Sequence, residues 1–305
     1  MVANPYDVVV VGGGAAGLSA ALVLGRSRRR VVVVDSGEPR NAPAAHMQGF
    51  LSRDGMAPSA LLAAGRDEVA RYGVDLIEGS VTHVAPGFEV RLSDGTILAA
   101  RRLLFATGVV DEVPDIPGIA DRWGRDLLHC PYCHGWEVRE QPLGVIGSAP
   151  GSADYALLLR QWSDDVTFFS HTYALSGDES ERLEARGIVV VAGEVARLVV
   201  DDDRLTGVEL GDGRIYPRSA VFVRPVIGPR ADGLLAGLGC HMGGDGFVTT
   251  DATGLTSVPG VWAAGNVADA RAQVITAAGE GSTAAIAINA SLVIEDVELA
   301  LARRA

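Results

Sequence analysis

Valine-rich runs and helical patterns alternate along the first hundred residues. Asp7–Val11 and Val31–Val34 predict buried strands, and Leu18–Leu24 between them has the apolar spacing of a helix. A second amphipathic helix is predicted over Ser59–Tyr72, after Pro58. Alternating patterns then predict strands at Val74–Ile77, Ser80–Ala85, Glu89–Leu92 and Ile97–Leu104. Since Asp-Gly is a common two-residue hairpin turn, Asp94-Gly95 predicts that the last two of these strands form a hairpin.

The same strand–helix–strand pattern returns in the second half of the chain. Its parts are a strand at Leu143–Ile146, a helix at Ala153–Trp162 and a strand at Val166–Phe169. Further strands are predicted at Ile188–Val191, Val195–Val200, Gly207–Leu210 and Ser219–Val223. Near the end, Gly260–Asn266 reads as a strand entering a turn, and a small-residue-rich helix is predicted at about Thr276–Leu292. These patterns indicate an α/β protein.

Prolines and glycines divide the two halves. Pro114, Pro117 and Gly118 interrupt the pattern, and we place a domain crossing at about residues 110–118. With 305 residues and 48% hydrophobic composition, the chain is long enough for two domains with sizeable cores.

A glycine-rich turn joins the first strand to the first helix. Gly12–Gly17 has the spacing G-x-G-x-x-G, and Asp35 ends the next strand. In this pattern Gly12 permits the tight turn, Gly14 lets backbone approach a pyrophosphate, and Gly17 lets the helix pack on the strand. The acid accepts a hydrogen bond from a ribose hydroxyl. The first strand–helix–strand unit is therefore predicted to bind a dinucleotide.

Charge and composition exclude several classes of partner. The formal net charge is −12, so neither nucleic acid nor an anionic membrane surface is an expected partner. No apolar run approaches the roughly 20 residues needed to cross a bilayer, and the amino terminus lacks the basic region of a signal peptide. We therefore expect a cytoplasmic protein. Three cysteines are also too few for the disulfide framework of a small secreted protein.

Two of the three cysteines, Cys130 and Cys133, form a C-x-x-C pair. Thiols at this spacing can close a small disulfide, and an imidazole such as His134 can exchange a thiol proton near neutral pH. The pair could instead be half of a zinc site, but only Cys240 remains as a further cysteine and no metal is expected. Cys240 is expected to be a small buried apolar residue and Trp136 a packing residue.

Taken together, these motifs resemble the thioredoxin reductase-like flavoprotein family over nearly the whole chain. The resemblance rests on Gly12–Gly17 with Asp35, on Ala106-Thr107-Gly108, on Cys130-Pro131-Tyr132-Cys133, on Ala264-Gly265-Asn266 and on Gln273-Val274. It implies two Rossmann-like three-layer domains, the second inserted in the first, a homodimer, and FAD in the first domain. The expected domains are 1–113 with 225–305 for FAD, and 114–224 for the inserted domain with the C-x-x-C.

The resemblance also implies a set of FAD-binding residues. Asn266 replaces the family's usual aspartate, and its amide can still hydrogen-bond a ribityl hydroxyl of the flavin. Arg40 and Asn41 follow the Asp35 strand and are expected on the adenosine side. The full candidate set is Gly12, Gly14, Ala15, Ala16, Gly17, Asp35, Ser36, Arg40, Asn41, Ala106, Thr107, Gly108, Gly265, Asn266, Gln273 and Val274.

The inserted domain departs from the family pattern for NADPH. Its turn, Gly147–Ser152, has Ala149 in place of the middle glycine, and a Cβ there crowds a pyrophosphate. After Val166–Phe169 come Ser170-His171-Thr172, with no arginine before Arg182 for a 2′-phosphate. We therefore expect this domain not to bind NADPH.

His134 is the second departure, since the reductases have aspartate after the second cysteine. Cys130–Glu137 resembles the disulfide-forming dithiol oxidases of the holomycin and gliotoxin type. This implies FAD-dependent oxidation of a small natural-product dithiol, with Cys130, Cys133 and His134 as catalytic residues and O2 as acceptor. Two alternatives remain, an NADPH- or ferredoxin-linked thioredoxin-type reductase and a non-catalytic FAD-binding or redox-sensing scaffold.

Overall fold

Short strands and helices alternate along the chain, as the hydrophobic pattern predicts. The structure, a computed structural model, describes residues 5–230 and 233–304. The strands are β1 (Tyr6–Val11), β2 (Val31–Asp35), β3 (Asp75–Glu78), β4 (Val81–Ala85), β5 (Glu89–Leu92), β6 (Ile97–Phe105), β7 (Val109–Glu112), β8 (Leu127–Leu128), β9 (Leu143–Ile146), β10 (Val166–Phe169), β11 (Val189–Val191), β12 (Val195–Asp201), β13 (Arg204–Leu210), β14 (Ile215–Pro217), β15 (Ala220–Val223), β16 (Val226–Pro229) and β17 (Val261–Ala263). The helices are α1 (Ala15–Arg26), α2 (Pro58–Ala70), α3 (Ile119–Arg122), α4 (Pro131–His134), α5 (Ser152–Leu159), α6 (Gly177–Ala185), α7 (Leu234–Gly237) and α8 (Val274–Ala302), and a 3-10 turn covers Gly265–Val267.

The chain divides into two units, and most of the second is inserted in the first. The first unit comprises Met1–Ala42, Pro58–Val110 and Gly228–Ala305, and the second comprises Pro43–Ala57 and Asp111–Ile227. The crossings lie within β7 and β16, three residues before and three residues after the boundaries drawn from the sequence. The expected first domain also included 43–57, which the structure groups with the second unit. There Pro43 lies so close to Gly124 that a Cβ on the glycine would be 2.8 Å from the Pro43 Cβ.

The first unit has a seven-stranded sheet with the order β3-β2-β1-β6-β5-β4, and β17 also pairs with β6. β1, β2, β3, β6 and β17 are parallel, whereas β4 and β5 continue the sheet antiparallel. Side chains alternate between the faces, so Val8 and Val10 pack with α1 and α8, while Val9 and Val11 pack with β4, β5 and α7. The unit is therefore three layers deep.

The second unit repeats this plan with a different outer layer. Its parallel sheet has the order β11-β10-β9-β15-β8, and a separate antiparallel sheet has the order β12-β13-β14. Val145 and Phe222 face α5 and α6, whereas Ile146 and Val223 face the antiparallel sheet. The expected α/β fold of two Rossmann-like three-layer units is confirmed.

The last helix is longer than the sequence analysis predicted. The prediction ended at Leu292, whereas α8 continues to Ala302. The additional turns contain good helix formers and no glycine or proline. They are also anchored to the rest of the first unit, because Asp296 pairs with Arg29 and Arg101 at 2.7 and 2.5 Å.

α1 and α8 approach each other through glycine. A methyl group on Gly281 would overlap the Ala16 carbonyl oxygen and lie 2.8 Å from the carbonyl carbon, whereas a methyl group on Gly279 would meet nothing within 4 Å. We predict that Gly281→Ala lowers the free energy of unfolding by about 1–3 kcal/mol through overpacking. Gly279→Ala, the matched control, should raise it by up to about 1 kcal/mol. Denaturant unfolding of both variants measures this, and equal effects would contradict the close approach.

Candidate functional site

The glycine turn after β1 forms an open cradle at the start of α1. Gly12 has φ +105°, and a methyl group there would overlap the Ala106 carbonyl oxygen. A methyl group on Gly14, the residue that caps α1, would meet nothing within 4 Å. No side chain caps this helix and no acidic residue lies in its first turn. The amide groups at the helix start therefore face open space with partial positive charge, which suits a pyrophosphate.

Asp35 at the end of β2 holds this turn. Its Oδ1 accepts a hydrogen bond from the Gly13 N–H at 3.0 Å, and its Oδ2 lies 3.1 Å from Nη2 of Arg66. A methyl group on Gly13 would be 2.8 Å from the Asp35 Cγ, so the middle glycine of the run is also required. Gly13 was not predicted as a site residue, although the unbroken glycine run was a signal for it. Arg66 comes from α2 and carries no signal in the sequence.

The segments that follow β2 and β6 are joined by Arg230. Its Nε donates to the Thr107 carbonyl at 3.0 Å, and its Nη2 donates to the Glu38 carbonyl at 2.9 Å. The expected cofactor residues Arg40 and Thr107 therefore lie in two segments that one guanidinium connects. No role was predicted for Arg230, which is far from both segments in the sequence.

The late A-G-N motif lies beside the start of α1. A Cβ on Gly265 would be 3.0 Å from the Ala16 Cβ, so the late motif and the first glycine motif are brought together. The Gly265 N–H donates to Oε2 of Glu280 at 2.7 Å. Burial raises the pKa of this carboxyl, the Gly265 N–H lowers it, and the Asp269 carboxylate raises it further. Glu280 was not predicted as a site residue.

The side-chain amide of Asn266 donates hydrogen bonds to backbone carbonyl groups. Nδ2 donates to the carbonyl oxygens of Asp269, Ala270 and Ala272 at 3.0, 3.3 and 3.0 Å. Three acceptors around one atom identify it as the NH2 group, which leaves Oδ1 for a ligand. The amide therefore fixes the segment that leads into Gln273, the cap of α8, and Val274, its first residue.

The cofactor candidates share one location in the first unit. They follow the carboxyl ends of β1, β2, β6 and β17, where ligands bind in Rossmann-type sheets. These residues fit a dinucleotide, because the cradle at Gly14 is open and its amides have no side-chain cap. The residues at these strand ends are Gly12, Gly14, Ala15, Ala16 and Gly17 after β1, Asp35, Ser36, Arg40 and Asn41 at β2, Ala106, Thr107 and Gly108 after β6, and Gly265, Asn266, Gln273 and Val274 after β17.

The C-x-x-C pair is a closed disulfide in the second unit. Cys130 caps the single-turn helix α4, and its Sγ accepts the Cys133 N–H at 3.1 Å. Cys130 is 8% exposed, and Cys133 is partly exposed. A backbone N–H aimed at Sγ stabilises negative charge there, so it favours a thiolate at Cys130 after reduction.

His134 is the last residue of this turn. Burial lowers the pKa of its imidazole, and the Glu137 carboxylate raises it by a smaller amount. Its usual value is 6.5, so the imidazole is predominantly neutral at neutral pH. A neutral imidazole can accept a thiol proton. The resting site therefore provides a base.

Exposed aromatic side chains surround the turn. Tyr132 is 70% exposed and Trp136 is 65% exposed, and the Arg139 guanidinium lies 4.0 Å from the Trp136 ring centroid. The prediction that Trp136 is a packing residue is wrong, because this indole contacts a surface arginine and remains mostly in solvent. Cys240 is buried as predicted, and burial raises the pKa of its thiol.

Comparison with known proteins places the chain in a family. Residues 6–281 match the family model described as pyridine nucleotide-disulphide oxidoreductase, and the chain belongs to this family of flavoproteins. It is a thioredoxin reductase-like disulfide oxidoreductase, which confirms the resemblance found in the sequence. Among the described residues, α8 and the shorter helices fall below the length or hydrophobicity of a membrane-crossing helix.

Individual relatives cover different shares of the chain. The crystal structure of HlmI is 58% identical, covers 99% of this chain and 98% of its own, and has a TM-score of 0.97. Thioredoxin reductase sirT of Leptosphaeria maculans is 33% identical over 93% of both chains. A probable thioredoxin reductase of Arthroderma benhamiae is 34% identical over 54% of this chain and only 43% of its own length.

The Asn266 contacts predict the effect of restoring the family's aspartate. Asn266→Asp removes one donor from three carbonyl oxygens and places a carboxylate against them, so it should destabilise the segment more than Asn266→Ala does. We expect a loss of about 1–3 kcal/mol for the aspartate variant, together with weaker flavin retention. Thermal unfolding and flavin release measure both effects. A variant as stable as wild type would contradict the assigned amide orientation.

The Glu280 carboxyl predicts a pH dependence of stability. A carboxyl whose pKa rises on folding binds protons in the folded state at pH values where the unfolded chain has released them. Stability is therefore lost as pH rises above the usual value of 4.5. Glu280→Gln removes this titration and retains an oxygen for the Gly265 N–H, so it should become more stable relative to wild type between about pH 4 and pH 7. Unfolding midpoints measured across this range test the sign, and parallel profiles would contradict it.

Proposed function

We propose that the protein is an FAD-dependent dithiol oxidase that forms an intramolecular disulfide in a small natural-product dithiol. The observation that carries the proposal is the Cys130–Cys133 disulfide at the cap of a short turn that ends in a neutral His134. The likeness to HlmI along nearly the whole chain supports it, as does the resemblance of Cys130–Glu137 to dithiol oxidases.

The exchange chemistry follows from the two cysteines. A substrate thiolate attacks the Cys130 Sγ, which forms a mixed disulfide and releases Cys133 as a thiolate. The second substrate thiol then attacks the substrate sulfur of the mixed disulfide, which closes the substrate disulfide and releases Cys130. The substrate loses two electrons and two protons, and the cysteine pair gains the two electrons. His134 accepts protons from the attacking thiols, and the Cys133 N–H stabilises the Cys130 thiolate.

Access to Cys130 constrains the first step. Since this residue is 8% exposed, a substrate reaches its Sγ only after side chains around the turn move. Tyr132 and Trp136 are exposed side chains next to the pair.

FAD fits the dinucleotide cradle of the first unit, and when bound it would accept the electron pair from the reduced cysteines and transfer it to O2, giving H2O2. The chain's own residues hold the cofactor. The Gly14 turn receives the pyrophosphate, Asp35 and the segment after β2 receive the adenosine, and Asn266 with the start of α8 receives the flavin part.

We further propose a cytoplasmic homodimer. The carboxyl-terminal half of α8 exposes apolar side chains that a second copy would cover, among them Val293, Ile294, Val297, Leu299 and Leu301. The alternative function is the thioredoxin-type reductase, which the name thioredoxin reductase of several relatives favours.

Anaerobic reduction of the purified holoprotein separates the two functions. We expect dithiothreitol to bleach the flavin absorbance and NADPH not to do so, because the second unit lacks the family's nucleotide-binding residues. Admission of air should restore the absorbance and produce H2O2. Rapid bleaching by NADPH would instead identify a reductase.

Cysteine variants check that electrons pass through the disulfide. Cys133→Ser should retain flavin but lose dithiol turnover by at least about 100-fold, since no disulfide remains to exchange. Cys240→Ala is the matched control and should retain turnover, because this cysteine is buried in the first unit. Turnover by the Cys133→Ser protein at the wild-type rate would overturn the scheme.

A further inference from the structure

The two glycine turns of the chain are alike in sequence but differ at the helix start. In the first unit a methyl group on Gly14, which caps α1, would meet nothing within 4 Å. In the second unit Gly151 caps α5, and a methyl group there would overlap Nη1 of Arg224. The residue that caps the helix is therefore open in one unit and covered by a guanidinium in the other, although in the glycine pattern Gly14 corresponds to Ala149.

Arg224 reaches Gly151 from the neighbouring strand. It directly follows β15, which pairs in parallel with β9, with Val223 opposite Ile146. The Gly147–Ser152 turn follows β9, so Arg224 and the turn lie at the same edge of the sheet, where a dinucleotide binds in Rossmann-type units. The guanidinium points end-on, because the Gly151 Cβ position is 2.9 Å from Cζ and 3.7 Å from Nε.

The backbone of the second turn is also engaged internally. The Ala149 N–H donates to Oγ of Ser152 at 3.3 Å, and the same hydroxyl donates to the Ala149 carbonyl at 2.7 Å. Both residues are buried. An amide that would otherwise face a phosphate is therefore satisfied within the turn, although α5, like α1, has no side-chain cap.

A second arginine near this helix start, Arg182, is already paired with a carboxylate. Arg182, the first arginine after β10, pairs with Asp154 at 2.9 Å, and Asp154 lies in the first turn of α5. The Asp154 carboxylate at the start of α5 repels an anion. Its ion pair also engages Arg182, which lies beyond the position where the family has an arginine for a 2′-phosphate. Among residues that the structure describes, Arg224 itself has no carboxylate within ion-pair distance.

We propose that Arg224 occupies the space that the pyrophosphate of a nicotinamide dinucleotide would take, and that it thereby excludes NADPH and NADH from the second unit. This inference rests on the proposed function, in which electrons enter from a dithiol. Arg224, which lies far from the glycine turn in sequence, then acts together with Ala149 to exclude the dinucleotide.

Removal of the Arg224 side chain tests this inference, because the loss of charge and the gain of space should change the affinity for ADP-ribose in opposite directions. Loss of a cation weakens the binding of an anion, so tighter binding can come only from vacated space. We expect Arg224→Ala to bind ADP-ribose about tenfold more tightly than wild type, with a further gain on adding Ala149→Gly. Titration calorimetry on the flavin-loaded full chain measures this without requiring hydride transfer.

Controls separate this inference from the proposed function. Arg197→Ala removes the same charge from the exposed surface of the same unit and should not tighten binding. Arg224→Gln is a second variant that should shift affinity in the same direction, in case the alanine protein is unstable. Unchanged or weaker binding in folded Arg224 variants would overturn the inference. The oxidation of dithiothreitol by the same proteins reports on the proposed function independently, since dithiol exchange uses Cys130 and Cys133.

Discussion

The close approach of α8 to the start of α1 is the constraint on which the first unit depends. Gly281 permits the two backbones to meet at Ala16, and Ala16 in turn lies against Gly265. Motifs at opposite ends of the chain thus form one crevice, at the carboxyl ends of parallel strands. The Glu280 carboxyl, one residue from the contact, binds the Gly265 amide, so the packing of the helices also sets the position of the late motif.

Much of the fold was accessible from local patterns. β1, β2, β9 and β10 are short strands in which valine or other large apolar residues predominate, and their bounds agree with the prediction to within one residue. α6, which was not predicted, also has a local signal, because Ser176 and Glu179 form a capping box. The last turns of α8 also had a local signal in their helix formers, whereas the arginines that anchor them are distant in sequence.

For the site, the sequence identified the residue types but not their partners. The position of Asn266 follows from the motif, but its three carbonyl acceptors depend on how the following loop folds back. Nothing in the sequence around Arg230 or Arg224 predicts a role for either residue. Their contacts arise only because the strands before them end beside other segments of the chain. The two glycine turns show the same limit, because similar sequences gave one open cradle and one that is covered.

The short segment Pro43–Ala57 has a consequence for the modularity of the protein. Although both of its flanks belong to the first unit, it belongs to the second, and Pro43 packs on Gly124. A fragment cut at residues 111 and 227 would leave this piece behind. The inserted half therefore cannot be exchanged between proteins as a single cassette, and a recombination that replaces it must also replace a loop encoded upstream.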